Sequence, residues 1–191
     1  MIKYSAILVL LTVPSIILGQ HVPVVEDTIS GITVGKSTLH DVAREFGKSL
    51  IVDPKEKRHA VRWEGQCELF FDFEKGGPIE EDNHVMNIQL LNLGGGTQPG
   101  SPCSKIATGH GLRLTDSPDA LQRLYGEPSS VFGRQQLTVA RYENSGVCQK
   151  KALRAFQLKN MFVEWQTDSK VLQNVSVSVE KGDCNELRSP N

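Results

Sequence analysis

Residues 31–49, GITVGKSTLHDVAREFGKS, and residues 111–129, GLRLTDSPDALQRLYGEPS, follow one pattern twice. Each opens on a glycine and continues with two apolar residues flanking a polar one, Ile32/Val34 and Leu112/Leu114. A polar triplet follows, then an amphipathic segment with apolar residues at i, i+4: Val42/Phe46 and Leu121/Tyr125. Gly47 and Gly126 come next, where a helix closes most easily on a left-handed residue. The match runs on: RWE (62–64) returns as RYE (141–143), LFFDF (69–73) as MFVEW (161–165), and VMNIQL (85–90) as LQNVSV (172–177). Self-similarity on this scale restricts the chain to architectures in which one supersecondary unit is made more than once. Between the copies lies NLGGGTQPGSPCSKIATGHG, 92–111, rich in glycine and proline and without periodicity.

The repeat also decides how GKST at 35–38 is read. A phosphate loop needs G-x-x-x-x-G-K-[ST], so that successive amides curl round the phosphates. Here the first glycine, Gly31, stands one position too close, and β-branched Ile32, Thr33 and Val34 fill the interval. The second copy has Thr115-Asp116 in place of Gly35-Lys36, which removes the cation and adds a negative charge. What both copies retain is a hydroxyl before a helix, Thr38 and Ser117, able to cap orphaned amides. Pro118 then suits a first helical position. No nucleotide and no cofactor are expected.

After its helix each copy reads as an antiparallel meander. Candidate strands are 60–64, 67–73 and 84–92 in the first copy, and 137–143, 151–158, 161–165 and 171–180 in the second. Val175, Val177 and Val179 alternate with Ser176 and Ser178, which puts the valines on a core face. EGQ, LKN and TDSK have the composition of hairpin turns. A helix of about ten residues is not stable alone and must lie on the sheet. The expected fold class is therefore α+β: two tandem units, each a short helix packed on an antiparallel 3–4-stranded meander. The boundaries are 20–91 for the first unit, 92–110 for a linker, 111–184 for the second and 185–191 for a tail.

The N-terminal segment has one cation, Lys3, and a 13-residue largely apolar run from Ala6 to Leu18, broken by Thr12, Pro14 and Ser15. Spanning a bilayer takes about 20 such residues. The expectation is a cleavable signal peptide over 1–19, cut after Gly19, with an uncleaved tether as the alternative. Gln20 stands where a lipidated cysteine would be, so no membrane anchor is expected after cleavage. Lys and Arg number 21 against 22 Asp and Glu, a balance that offers neither nucleic acid nor an anionic membrane a broad field. The expected location is secreted or periplasmic. Four cysteines, Cys67, Cys103, Cys148 and Cys184, read there as two disulfides with three connectivities open. No pair is spaced C-x-x-C.

The duplicated segment resembles the small envelope lipoproteins of the SmpA/OmlA type, with their Gly-x-[ST]-x-x-x-Val-x-x-x-[aromatic or Leu]-Gly-x-Pro pattern before a meander. Its tandem arrangement in a secreted, disulfide-bearing chain is similar to the β-lactamase inhibitory protein scaffold. The resemblance implies a shared scaffold, and a task only as far as inhibitors or envelope-assembly accessories use it. The repeat favours bridges 67–103 and 148–184, each closing one unit, since each pair is 36 residues apart.

Candidate chemistry is sparse. Ser37, His40 and Asp41 crowd a helix start, but neighbouring helical positions diverge. PIEEDNH (78–84) lacks calcium-loop spacing and reads as a polar hairpin tip. NVS (174–176) is a glycosylation sequon. A hydrolase using Asp72, Glu80 and His84 is one alternative, and a purely structural envelope protein is another. The preferred function is non-enzymatic protein binding. Alternation in CELFFDF sends Leu69, Phe71 and Phe73 inward and Glu68, Phe70 and Asp72 outward. In MFVEW it sends Met161, Val163 and Trp165 inward, leaving Phe162 and Glu164 outside. Phe70, Phe162, Asp72 and Glu164 are the candidate partner-binding residues on an open, acidic face, and the expected ligand is a protein.

Overall fold

The computed structural model describes residues 24–47, 51–53, 58–74, 82–98, 100–134, 136–145 and 155–183. The predicted signal segment, Cys148, Cys184 and Glu80 lie outside the described residues. In chain order the elements are β1 (Thr28–Ile29), β2 (Ile32–Thr33), α1 (Leu39–Phe46), β3 (Ile51–Asp53), β4 (Arg58–Trp63), β5 (Cys67–Phe73) and β6 (Val85–Asn92). A 3-10 turn (Pro102–Lys105) precedes α2 (Asp119–Tyr125), β7 (Ser130–Arg134), β8 (Leu137–Ser145), β9 (Ala155–Gln166) and β10 (Leu172–Asp183).

The expected pair of separate helix-on-meander units is not what the chain forms. It is mostly β, and its eight longer strands make one antiparallel sheet in the order β3-β4-β5-β6-β10-β9-β8-β7. The reason is at the seam. A meander ending in β6 and another ending in β10 each present a row of unpaired backbone groups. Pairing β6 with β10, with Leu90 opposite Val175 and Ile88 opposite Val177, satisfies both rows at once. It also merges the apolar faces into one core that runs from Ile29 to Val179.

Three strand predictions need correction. β3 and β7 carry no long alternating run and were not foreseen. LKN is no turn: β9 passes straight through Leu158, Lys159 and Asn160, each paired with β10. EGQ and TDSK do form turns.

The inward row of each strand is buried: Leu69, Phe71 and Phe73; Ile88 and Leu90; Val175, Val177 and Val179; Met161, Val163 and Trp165. Onto this face α1 lays Val42 and brings the Phe46 ring 5.5 Å from Phe71. α2 lays down Leu121 and brings Tyr125 5.7 Å from Tyr142. The apolar pairs Ile32/Val34 and Leu112/Leu114 are buried in the same layer. Gly47 and Gly126 both close their helices at φ 76°. Thr38 and Asp41 form a capping box at α1, and only the cap of α2 departs from expectation. At α1 the Thr38 amide and hydroxyl both donate to the Asp41 carboxylate, at 2.9 and 3.2 Å. At α2 Pro118 occupies the N-cap, and the Ser117 carbonyl, not its hydroxyl, accepts from the Ala120 amide.

The segment predicted as a linker is packed. Ser101, Cys103, Ile106 and Thr108 are buried, and Cys103 is bonded to Cys67 with the Cα atoms 6.2 Å apart. That disulfide marks an oxidising, extracytoplasmic setting. No helix among the described residues is long and apolar enough to cross a membrane. Among the described residues the two helices and the 101–114 segment thus pack on one face of the sheet.

Candidate functional site

On the opposite face, registration between strands brings together residues far apart in sequence. One row reads Ala60, Phe70, Gln89, Ser176, Phe162, Arg141, each opposite the next on the neighbouring strand. Phe70 and Phe162 therefore share a row across the seam, three strand spacings or about 14 Å apart. Both are half-buried. The Arg141 guanidinium lies 5.2 Å from the centre of the Phe162 ring, a cation–π contact.

Asp72 stands on one side of this row and Glu164 on the other, both half-buried. The face is less acidic in effect than its carboxylates suggest, because they are engaged. Arg62 donates to Glu68, with Nε at 3.0 Å and a guanidinium nitrogen at 2.7 Å. Asn87 donates to Asp72 at 2.8 Å and accepts from Ser176 at 3.2 Å. Asn174 donates to Glu164 at 3.1 Å, and Arg141 pairs with Glu143. Asn174 is the asparagine of the glycosylation sequon, and at 7 % exposure it is sealed in the sheet. Three buried atoms here have no hydrogen-bond partner: Asn160 Oδ1, Asn174 Oδ1 and Arg141 Nε. A polar face so cross-linked is a stiff surface with two aromatic planes set in it.

Of the three residues of the hydrolase alternative, Glu80 lies outside the described residues. Asp72 is on the outer face of β5 beside Asn87, whereas His84, ahead of β6, lies with Nδ1 3.7 Å from Glu74. Among the described residues no group of three or more His, Cys, Asp or Glu side chains is placed to hold a metal ion.

A second polar cluster went unread in the sequence. Glu26, 1 % exposed, accepts from the Asp27 and Thr28 amides, both at 3.0 Å, and from the amide and Nδ1–H of His110, both at 2.8 Å. The Tyr125 hydroxyl approaches the same carboxylate at 3.4 Å and Thr108 Oγ1 at 2.6 Å, and Thr108 in turn accepts from the Leu112 amide. Burial pushes the Tyr125 hydroxyl well above its ordinary pKa. Burial, with a lesser contribution from the Glu127 charge, pushes Tyr142 up to about 12. This cluster ties residues 26–28, the 108–112 turn and the end of α2 together. Its partners are 84 and 99 residues apart in sequence, so no local spacing announces it. The one available signal was that Tyr125, predicted as a helix-face aromatic, carries a hydroxyl that must find a partner when buried.

No protein-family model, curated protein or solved structure matches this chain.

Proposed function

We propose that this chain is an extracytoplasmic protein-binding module, secreted or periplasmic, that takes its partner on the outer sheet face. The reading rests on one observation: Phe70 and Phe162 stand in a single cross-strand row on the face that the helices leave open. Rigid aromatic anchors set among cross-linked polar side chains are what protein interfaces concentrate their binding energy in. Asp72 and Glu164 flank the row and supply polar contacts at its margins. The Cys67–Cys103 bridge and the apolar leader fit an exported protein of this kind. The resemblance to envelope lipoproteins and to the β-lactamase inhibitory protein scaffold points to an inhibitor or an envelope-assembly accessory.

The test is affinity capture from native periplasm or secretions with wild type and the double variant Phe70→Ala/Phe162→Ala, read by mass spectrometry. The partner is expected to be retained by wild type and lost by the variant, with circular dichroism unchanged. Equal recovery by both proteins rejects the outer face.

A further inference from the structure

An open eight-stranded sheet has two edges, and each edge strand carries backbone groups ready to pair with another chain. The two edges here are built differently. β3 is three residues long and is followed in sequence by Pro54-Lys55-Glu56-Lys57, a short strand with the proline and charges that discourage pairing. β7 is five residues long, and its sequence, SVFGR, has no such guard before its last position. Val131 is 56 % exposed and Phe132 46 % exposed. Being adjacent in a strand, they point to opposite faces, so this edge is apolar on both sides.

The β7–β8 hairpin shows which backbone groups are free. Two residues separate Arg134 from Leu137, and a hairpin this tight closes on a pair that exchanges both hydrogen bonds. Alternation then turns the Phe132 and Ser130 amides and carbonyls toward β8. Those of Val131 and Gly133 face outward along the free edge.

We propose that two copies of this chain join edge to edge through β7, antiparallel, with Phe132 on the two-fold axis, so that their sheets become one. Val131 of each copy lies opposite the partner's Gly133 and exchanges both backbone bonds with it. Phe132 faces the partner's Phe132 as a non-hydrogen-bonded pair, the arrangement in which side chains come closest. Around Gly133 nothing lies within 4 Å of the place a Cβ would take, which leaves room for the partner's valine. Each copy's own Val131 lines a cavity of about 290 Å³ together with Leu121, Tyr142 and Trp165.

Charge selects a second copy as the occupant. Exposed Glu127 precedes β7 at one end of this cavity. Exposed Lys170 stands at the other end, in the β9–β10 turn whose Thr167 amide donates to the Gln136 carbonyl beside the β7–β8 hairpin. Antiparallel two-fold pairing carries the acidic end of one edge to the basic end of the other, twice. The edge is its own complement.

Sedimentation equilibrium of the full mature chain, with and without substitutions, tests this. Wild type is expected to dimerise reversibly. Gly133→Pro deletes an amide that only the partner uses, and it is expected to weaken the dimer at least 10-fold with an unchanged melting temperature. Glu127→Lys and Lys170→Glu are each expected to weaken the dimer, and the double exchange to restore it. Phe132→Cys, which leaves every intrachain ladder bond in place, is expected to form a covalent dimer under mild oxidation far faster than Val131→Cys. A monomer at all concentrations, a dimer indifferent to Gly133→Pro, or equal cross-linking at 131 and 132 would each overturn the proposal.

Discussion

The two halves of the sheet fasten their coverings by different means. In the β3–β6 half, Cys67 on β5 is joined covalently to Cys103 in the 3-10 turn. Next to the β7–β10 half, the 108–112 turn has no covalent tie, and Thr108, Tyr125, Glu26 and His110 hold it through hydrogen bonds. The first device acts chiefly on the unfolded chain, by closing a loop of 36 residues. The second acts only in the folded state, where every donor must meet its acceptor within a few tenths of an ångström. One half is secured by chain entropy, the other by polar complementarity around a buried carboxylate.

Breaking the covalent fastening has the largest expected effect. Replacing both Cys67 and Cys103 with serine is expected to cost about 4 kcal/mol, the loop-closure value for a loop of this length. The urea midpoint under non-reducing conditions measures it. A loss under about 1 kcal/mol would mean that the packed 101–108 segment holds the turn without the bond. In the other half, Glu26→Gln keeps the shape but puts an amide donor where two acceptor oxygens were required. Either the Asp27 and Thr28 amides or the His110 pair then face a donor, and the expected cost is about 2 kcal/mol. Because the two sites lie in different halves, the triple variant is expected to lose close to the sum. A marked departure from additivity would show the halves to be coupled across the β6–β10 seam.

The same contrast explains what could be read from the sequence. Cysteines are scarce and their bonding is a yes-or-no matter, so Cys67 and Cys103 were paired from spacing. The inward rows were legible because burial demands strict alternation, as in Val175, Val177 and Val179. The union of the two meanders into one sheet was not. Whether β6 pairs with β10 depends on unpaired backbone groups, which every strand has and no side chain advertises. β7 escaped for the same reason: at an edge neither face needs to be fully buried, so SVFGR carries no alternation. Phe70 and Phe162 were matched in sequence, but their shared row follows from the seam register alone. Glu26 and His110 gave no signal because a buried carboxylate looks like any surface one until its partners are in place.

The smallest expected effect brings a pH-sensitive element into the half that the disulfide secures. His59 on β4 is buried, its ring 5.1 Å from Phe73 in an edge-on contact, and its Nδ1 has no hydrogen-bond partner. Burial disfavours the charged imidazolium, so its pKa in the folded chain lies below the ordinary 6.5. In the unfolded chain His59 titrates near 6.5. As pH falls through that value the unfolded state takes up a proton that the folded state refuses, and stability declines; above it the contribution is fully present. His59→Phe keeps an aromatic ring against Phe73 and removes the titration. Urea midpoints at pH 7.5 and 5.5 should therefore differ less in the variant than in wild type. An equal difference in both proteins would assign the acid sensitivity between these two pH values to other groups, and Asp27 is not one of them. Burial raises the pKa of that carboxyl, but hydrogen bonds from Lys159 and Thr28 lower it further, to a net value below its ordinary one. Its share of stability is consequently lost only at pH values lower than those at which His59 acts, so acid titration separates the two groups.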